Sequence, residues 1–182
     1  KLQRDIDDKY DRYMAYKDDK SLRAEKERER IYKEVAELAK TEGAYVNLLA
    51  HLEAEGKSSN RRFVRLLEQA SEMGNGAAAS NLAAIYVRGK RVPKNIQKAR
   101  AYLELAVERD YVNAIHRKAL ELGVGNLNDF AYEKDEEAAF LLLKRYIELR
   151  TPLDMSDSKD RRSLYYYYLF GARCGHDMEK EA

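Results

Sequence analysis

Cysteine is nearly absent from this sequence: Cys174 is the only one in 182 residues. That excludes an intrachain disulfide framework and a cysteine-rich zinc module. Tryptophan is missing, there are three histidines, and the two prolines are Pro93 and Pro152. So few imidazoles leave little for a metal site, and so few prolines leave long stretches free to be helical. No apolar run approaches the ~20 residues needed to cross a bilayer. Charge of one sign is also lacking. Against 34 Lys+Arg stand 32 Asp+Glu, a formal net charge of +2. A nucleic-acid binder normally concentrates basic residues on one face, and this balance gives no push in that direction. What is present is a hydrophobic fraction of 45%, enough for a core and against a disordered chain. The length suits one domain or one array of repeats. Chains without disulfides suit the cytoplasm but also persist in the periplasm. Because the chain opens on Lys1 rather than Met, we expect an excised or processed chain with any leader, anchor or flanking domain outside it.

Apolar residues recur at spacings of three and four, and β-branched residues are sparse, which predicts helix almost throughout. Most of the nine glycines fall where the apolar stripes pause, as helix ends and tight turns require. The expected helices are 2–18, 22–40, 44–55, 59–73, 77–88, 95–109, 112–122, 134–149 and 161–174. Residues 1–42 stand apart as a charged helical extension. Leu2, Ile6, Tyr10, Tyr13 and Tyr16 form one thin stripe, and it resumes at Ile31, Val35 and Leu38 after a run of charges. This reads either as polar helices held by i,i+4 pairs or as an arm for self-association.

Self-similarity organises the rest. Leu66-Leu67-Glu68-Gln69-Ala70 lines up with Tyr102-Leu103-Glu104-Leu105-Ala106 at an offset of 36 residues, which also carries Ala78 to Ala114 and Gly89 to Gly125. Lys94-Asn95, Ala99 and Leu103 recur as Lys134-Asp135, Ala139 and Leu143 at an offset of 40, with four extra residues between Gly125 and Lys134. Ala44, Leu48 and Leu52 precede Ala78, Leu82 and Tyr86 by 34, and Tyr167 with Gly171–His176 echoes Leu66 with Ala70–Asn75. Each unit is two helices in which alanines permit close approach and Leu and Tyr fill the gaps. Neither helix can bury its stripe without the next unit. The expected repeats are 43–75, 76–111 and 112–150, with a partial or capping unit at 151–182. An unrelated helical bundle is the other reading of the same stripes.

The segment from Gly76 to Ala99 resembles the Sel1-like repeat, a relative of the tetratricopeptide repeat. The pattern is met at Ala78, Leu82, Tyr86, Gly89, Val92, Lys98, Ala99, Tyr102 and Ala106, with departures at Ala83, Arg91 and Asn95. Ala83, in place of a glycine, is expected to hold two helices slightly apart. The resemblance is strongest over 76–111 and does not reach 1–42. It implies an all-α fold, a short α-solenoid of stacked antiparallel helix pairs. It also implies an adaptor that binds another protein, and several bacterial relatives of this kind act in the cell envelope. Some are immunity proteins that neutralise a secreted lipase or other toxic effector.

No catalytic constellation stands out. Cys174 and His176 sit at a predicted helix end, where a small buried core residue and a histidine near the helix terminus are the expected reading. His51 and His116 are expected at non-core helical positions, with no partner at metal-ligand spacing. Gly74/Gly76 and Gly123/Gly125 lack the further glycine of a dinucleotide loop and follow helices rather than strands. We therefore expect no enzyme activity, no metal, no cofactor and no nucleic-acid partner. The basic run Arg88 to Lys94, continuing to Lys98 and Arg100, falls on an inter-helix turn. It reads as a solvated loop or as a contact for an acidic partner, lipid head groups or nucleic acid. Four consecutive tyrosines, Tyr165–Tyr168, cannot all face inward on a helix, so at least one is exposed or contacts another element.

In a curved array the first helix of each pair usually lines the inner face. Its non-core positions form two columns: Asn47, Asn81 and Arg117, then His51, Ile85 and Glu121, with Arg88 extending the groove. These seven are the expected partner-binding residues. Replacing Asn81 and Arg117 by alanine is then expected to weaken binding without lowering the melting temperature.

Overall fold

The computed structural model describes residues 1–55, 59–125 and 129–181, which form ten helices and no strand. They are α1 (Leu2–Ala15), α2 (Leu22–Leu38), α3 (Gly43–Glu55), α4 (Asn60–Glu72), α5 (Gly76–Arg88), α6 (Ile96–Glu108), α7 (Val112–Gly123), α8 (Glu136–Arg150), α9 (Ser158–Cys174) and α10 (Met178–Glu181). Nine match the expected helices to within a few residues. The four-residue α10 is too short to carry a periodic signal. The pause at Gly56 and most of the insertion after Gly125 lie outside the described residues.

Helix starts are fixed locally. The side chains of Ser21, Ser59, Asn75, Asn95, Asp135 and Asp157 each accept a backbone N–H of the first turn that follows. Such a cap contributes ~1 kcal/mol. Asn95, a departure from the repeat pattern, does the same work as Asp135 at the equivalent place, each accepting an N–H at 2.9 Å. Helix ends repeat as well. The N–H groups of Asn75, Tyr111 and His176 donate to the carbonyls of Ala70, Ala106 and Gly171 at 3.0, 3.0 and 2.9 Å, the 6→1 bond of a Schellman stop. These are the positions aligned from sequence. The echo at 167–176 is thus a shared way of stopping, not a shared place in the stack.

The helices pair as α3–α4, α5–α6 and α7–α8, and each pair packs on the next through α4–α5, α6–α7 and α8–α9. Equivalent residues fill equivalent gaps. Leu67, Leu103 and Leu143 are all at most 1% exposed, and Ala99 and Ala139 are completely buried beside them. Each buried leucine stabilises the stack by roughly 1.5–3 kcal/mol relative to exposure. Gly123 and Gly171 serve close approach. A Cβ on Gly123 would run into the Phe170 ring and one on Gly171 into Met178.

α1 and α2 pack on each other and both pack on α3. The α2 stripe of Ala24, Ile31 and Val35 is completely buried. Lys9 donates to Glu34 at 2.5 Å and pairs with Asp5 at 3.4 Å, and the Tyr45 hydroxyl of α3 donates to Asp5 at 2.5 Å. That bond to the Asp5 carboxylate, more than burial, pushes the Tyr45 hydroxyl up to about 12.

Candidate functional site

The first helices of the three pairs, α3, α5 and α7, present their polar sides to a run of three adjoining cavities. One, of about 460 Å³, is bounded by Gln3 and Ile6 of α1, Ala44 and Asn47 of α3, Ala77 of α5, and Tyr111. The next, of about 210 Å³, shares His51 and Asn81 with the first and adds Phe63, Ala84, Ile85, Arg88, Lys90 and Arg91. The third, again about 460 Å³, shares Ala84 and Arg88 with the second and continues through Ser80, Asn113, Arg117, Asp129, Phe130 and Lys159. Shared walls make them one trough crossing three helices.

Six of the seven expected residues line this trough: Asn47, His51, Asn81, Ile85, Arg88 and Arg117. Three of them meet directly. The Asn81 amide donates to the Asn47 side-chain oxygen at 3.4 Å and lies 3.3 Å from Nε2 of His51. Burial pushes the His51 imidazole below its usual value, against an opposing pull from Glu55. It therefore offers a neutral donor–acceptor ring at pH 7 rather than a charge.

Glu121 is not on the trough surface; it is completely buried. Arg117, one turn earlier, donates to its Oε1 through Nε at 2.9 Å and through Nη2 at 2.7 Å, and also reaches Asp129 at 2.6 Å. The α7–α8 loop brings Phe130, 2% exposed, beneath that guanidinium at 5.5 Å. Oε2 of Glu121 has no hydrogen-bond partner among the described residues. Arg117 is thus half committed to holding a buried carboxylate. Its replacement by alanine would remove that partner at a cost on the order of 3 kcal/mol, so a lowered melting temperature, not an unchanged one, is now expected for Arg117→Ala.

Two further expectations are corrected. His116 is in the core, 8% exposed, with Nδ1 2.7 Å from the Ser163 hydroxyl and its ring 5.5 Å from that of Tyr146. Desolvation pushes its pKa down to about 4. Cys174 is exposed rather than buried. It sits where the end of α9 passes the first turn of α8, and there the neighbours are the carboxylates Glu136 and Glu137, held by Arg173 and His176 at 3.0 Å.

The charges around the trough are uneven. Arg88 and Lys90 are exposed and have no hydrogen-bond or ion-pair partner among the described residues. Arg91 lies over the Phe63 ring at 4.4 Å and donates to Asn60 at 3.3 Å, and Lys159 donates to Asn113 at 2.9 Å; both partners are neutral. Among the described residues, the one carboxylate on the wall, Asp129, is taken by Arg117. Elsewhere cations such as Lys9, Arg62, Arg145 and Arg150 each hold a carboxylate. Phe63, Ala84 and Lys159 were not singled out from sequence. Phe63 and Lys159 lie outside the first-helix columns, and Ala84 carries no polar atom to mark it. A second hollow, of about 580 Å³, lies on the outer side of α9 against Met155, Leu164, Tyr165 and Tyr168. Two of the four consecutive tyrosines, Tyr165 and Tyr168, are exposed there. Among the described residues, no group of three or more His, Cys, Asp or Glu is placed to hold a metal ion, and no helix is long and apolar enough to cross a membrane.

No family model matches the sequence, and no curated protein does. Among solved structures, the chain is similar to a Sel1 repeat protein from Oxalobacter formigenes, with a TM-score of 0.53 and 21% identity. The match covers 74% of this chain and 59% of that one, so this chain spans well under two thirds of its neighbour's length. The likeness shows the fold: the chain is an α-solenoid of stacked helix pairs, as in that Sel1 repeat protein.

Proposed function

We propose that the chain is a protein-interaction scaffold and that the trough across α3, α5 and α7 is its binding face. The observation behind this is that polar and charged side chains from three successive units converge on one continuous concavity. In each unit the opposite side of the same helix is spent on the core. Such positions read a partner without disturbing the stack. The test is capture of partners by the purified chain, followed by mass spectrometry, alongside a variant carrying Asn81→Ala and Arg88→Ala. A partner retained by the wild type and lost by the variant, at an unchanged melting temperature, supports the reading. A partner held equally by both overturns it.

A narrower form, prompted by the repeat resemblance, is the neutralisation of a secreted effector of the lipase type. It requires a stable complex with the product of a neighbouring gene and loss of that product's activity in the complex. The alternative use of α1 and α2, self-association, has less behind it, because Ile31 and Val35 are covered within the chain. Light scattering across a concentration series separates the two, a constant monomer mass favouring the scaffold.

A further inference from the structure

The small central cavity has an apolar floor of Phe63, Ala84 and Ile85 and a cationic rim of Arg88, Lys90 and Arg91. At about 210 Å³ it holds several times the ~30 Å³ that one water occupies in the liquid, so it has room for a side chain. Arg88 also walls the neighbouring cavity, together with Lys159. None of Arg88, Lys90, Arg91 and Lys159 is paired with a carboxylate of this chain among the described residues. A partner that brings carboxylates gains attraction at each of them without first breaking an ion pair.

We infer that the trough takes an acidic segment of the partner polypeptide, one apolar side chain seated between Phe63 and Ile85 and flanking carboxylates on Arg88, Lys90 and Lys159. This rests on the trough being the binding face. Nucleic acid fits less well. A phosphate backbone carries charge at every step and wants a continuous basic stripe, whereas these cations form one cluster. Beyond the cluster the trough is lined by neutral amides and by Asp129, and the one further guanidinium there, Arg117, already holds Asp129 and Glu121.

The test is panning a random peptide library displayed on phage against the intact chain. Enriched peptides are then measured by fluorescence anisotropy on the wild type, on a variant with Arg88→Glu and Lys90→Glu, and on Ala84→Phe, which fills the central cavity without changing charge. Thermal melts of each variant accompany the titrations. The expected result is enrichment of Asp or Glu beside Leu, Phe or Tyr. Binding should weaken with added salt and weaken about tenfold or more in the charge-reversed variant. Enriched peptides without acidic residues, acidic peptides that bind the charge-reversed variant as tightly, or a library that yields no binder would each overturn the inference. So would tighter binding of single-stranded DNA or of phosphatidylserine vesicles at the same face. Peptides lost by Ala84→Phe but kept by the charge reversal would sink the acidic partner and spare the trough. Peptides indifferent to Ala84→Phe would sink the trough itself.

Discussion

The middle of the stack and its C-terminal third are built from the same helix pairs but bury different things. From α4 to α6 the buried side chains are apolar or aromatic but for Ser71, whose hydroxyl accepts from Arg109 at 3.3 Å. From α7 to α9 the interior also takes in His116, Glu121, Asp160 and Ser163. Asp160 is completely buried. It accepts the Tyr146 hydroxyl at 2.6 Å, Arg150 at 3.0 and 3.2 Å, and the Asp154 N–H at 2.9 Å. The middle is held mainly by shape, and apolar side chains of similar volume serve there. The C-terminal third is held by named donors and acceptors, each of which is costly to orphan.

Substitutions in the two regions should separate these modes, and thermal or denaturant unfolding reads all of them. The largest loss is expected from Asp160→Ala, about 4 kcal/mol, because it leaves a buried tyrosine hydroxyl and a guanidinium without their acceptor. In the middle, Leu103→Ala should cost about 3 kcal/mol through the cavity it leaves, with Leu103→Met costing far less. Gly123→Ala comes next, at about 2 kcal/mol, from overpacking against Phe170 and Ala139. Acid should act first through the two imidazoles that burial holds low, His51 of α3 and, more strongly, His116 of the C-terminal region. Burial holds His116 near 4, below its ordinary value of 6.5, so the unfolded chain binds this proton more readily than the folded one. The stability tied to a neutral His116 is whole above about pH 6.5 and is lost as the pH falls towards 4. By pH 5 the loss is on the order of 2 kcal/mol, and His116→Gln should flatten that slope. Asp160, whose carboxyl is also held low, adds its own loss only below about pH 4. The smallest effect is expected from Tyr168→Ser on the exposed side of α9, within about 0.5 kcal/mol.

The same contrast explains how much was legible in the sequence. Helix positions and the repeat offsets could be read because alanine and leucine recur at helical spacing, and the Leu67, Leu103 and Leu143 series turned out equivalent in burial. The trough residues followed from the same periodicity, since positions 47 and 51, or 81, 85 and 88, share a helix side whatever the neighbours do. Glu121 shares that side with Arg117, yet its burial depends on a loop that arrives from beyond α7 and carries Phe130. His116 depends in the same way on Ser163 and Tyr146, tens of residues away. No local pattern announces such contacts. Phe63 and Lys159, which complete the trough from other elements, were out of reach for the same reason.

The trough runs from Gln3 and Ile6 of α1 to Phe130 and Lys159. It crosses α3, α5 and α7 in turn, so whatever fills it must pass over several helices rather than lie along one. On the proposed reading, an occupant of that kind is a short linear motif rather than a folded surface. If the proposal holds, such a motif could be transplanted as a tag, and its recognition would survive removal from its native protein.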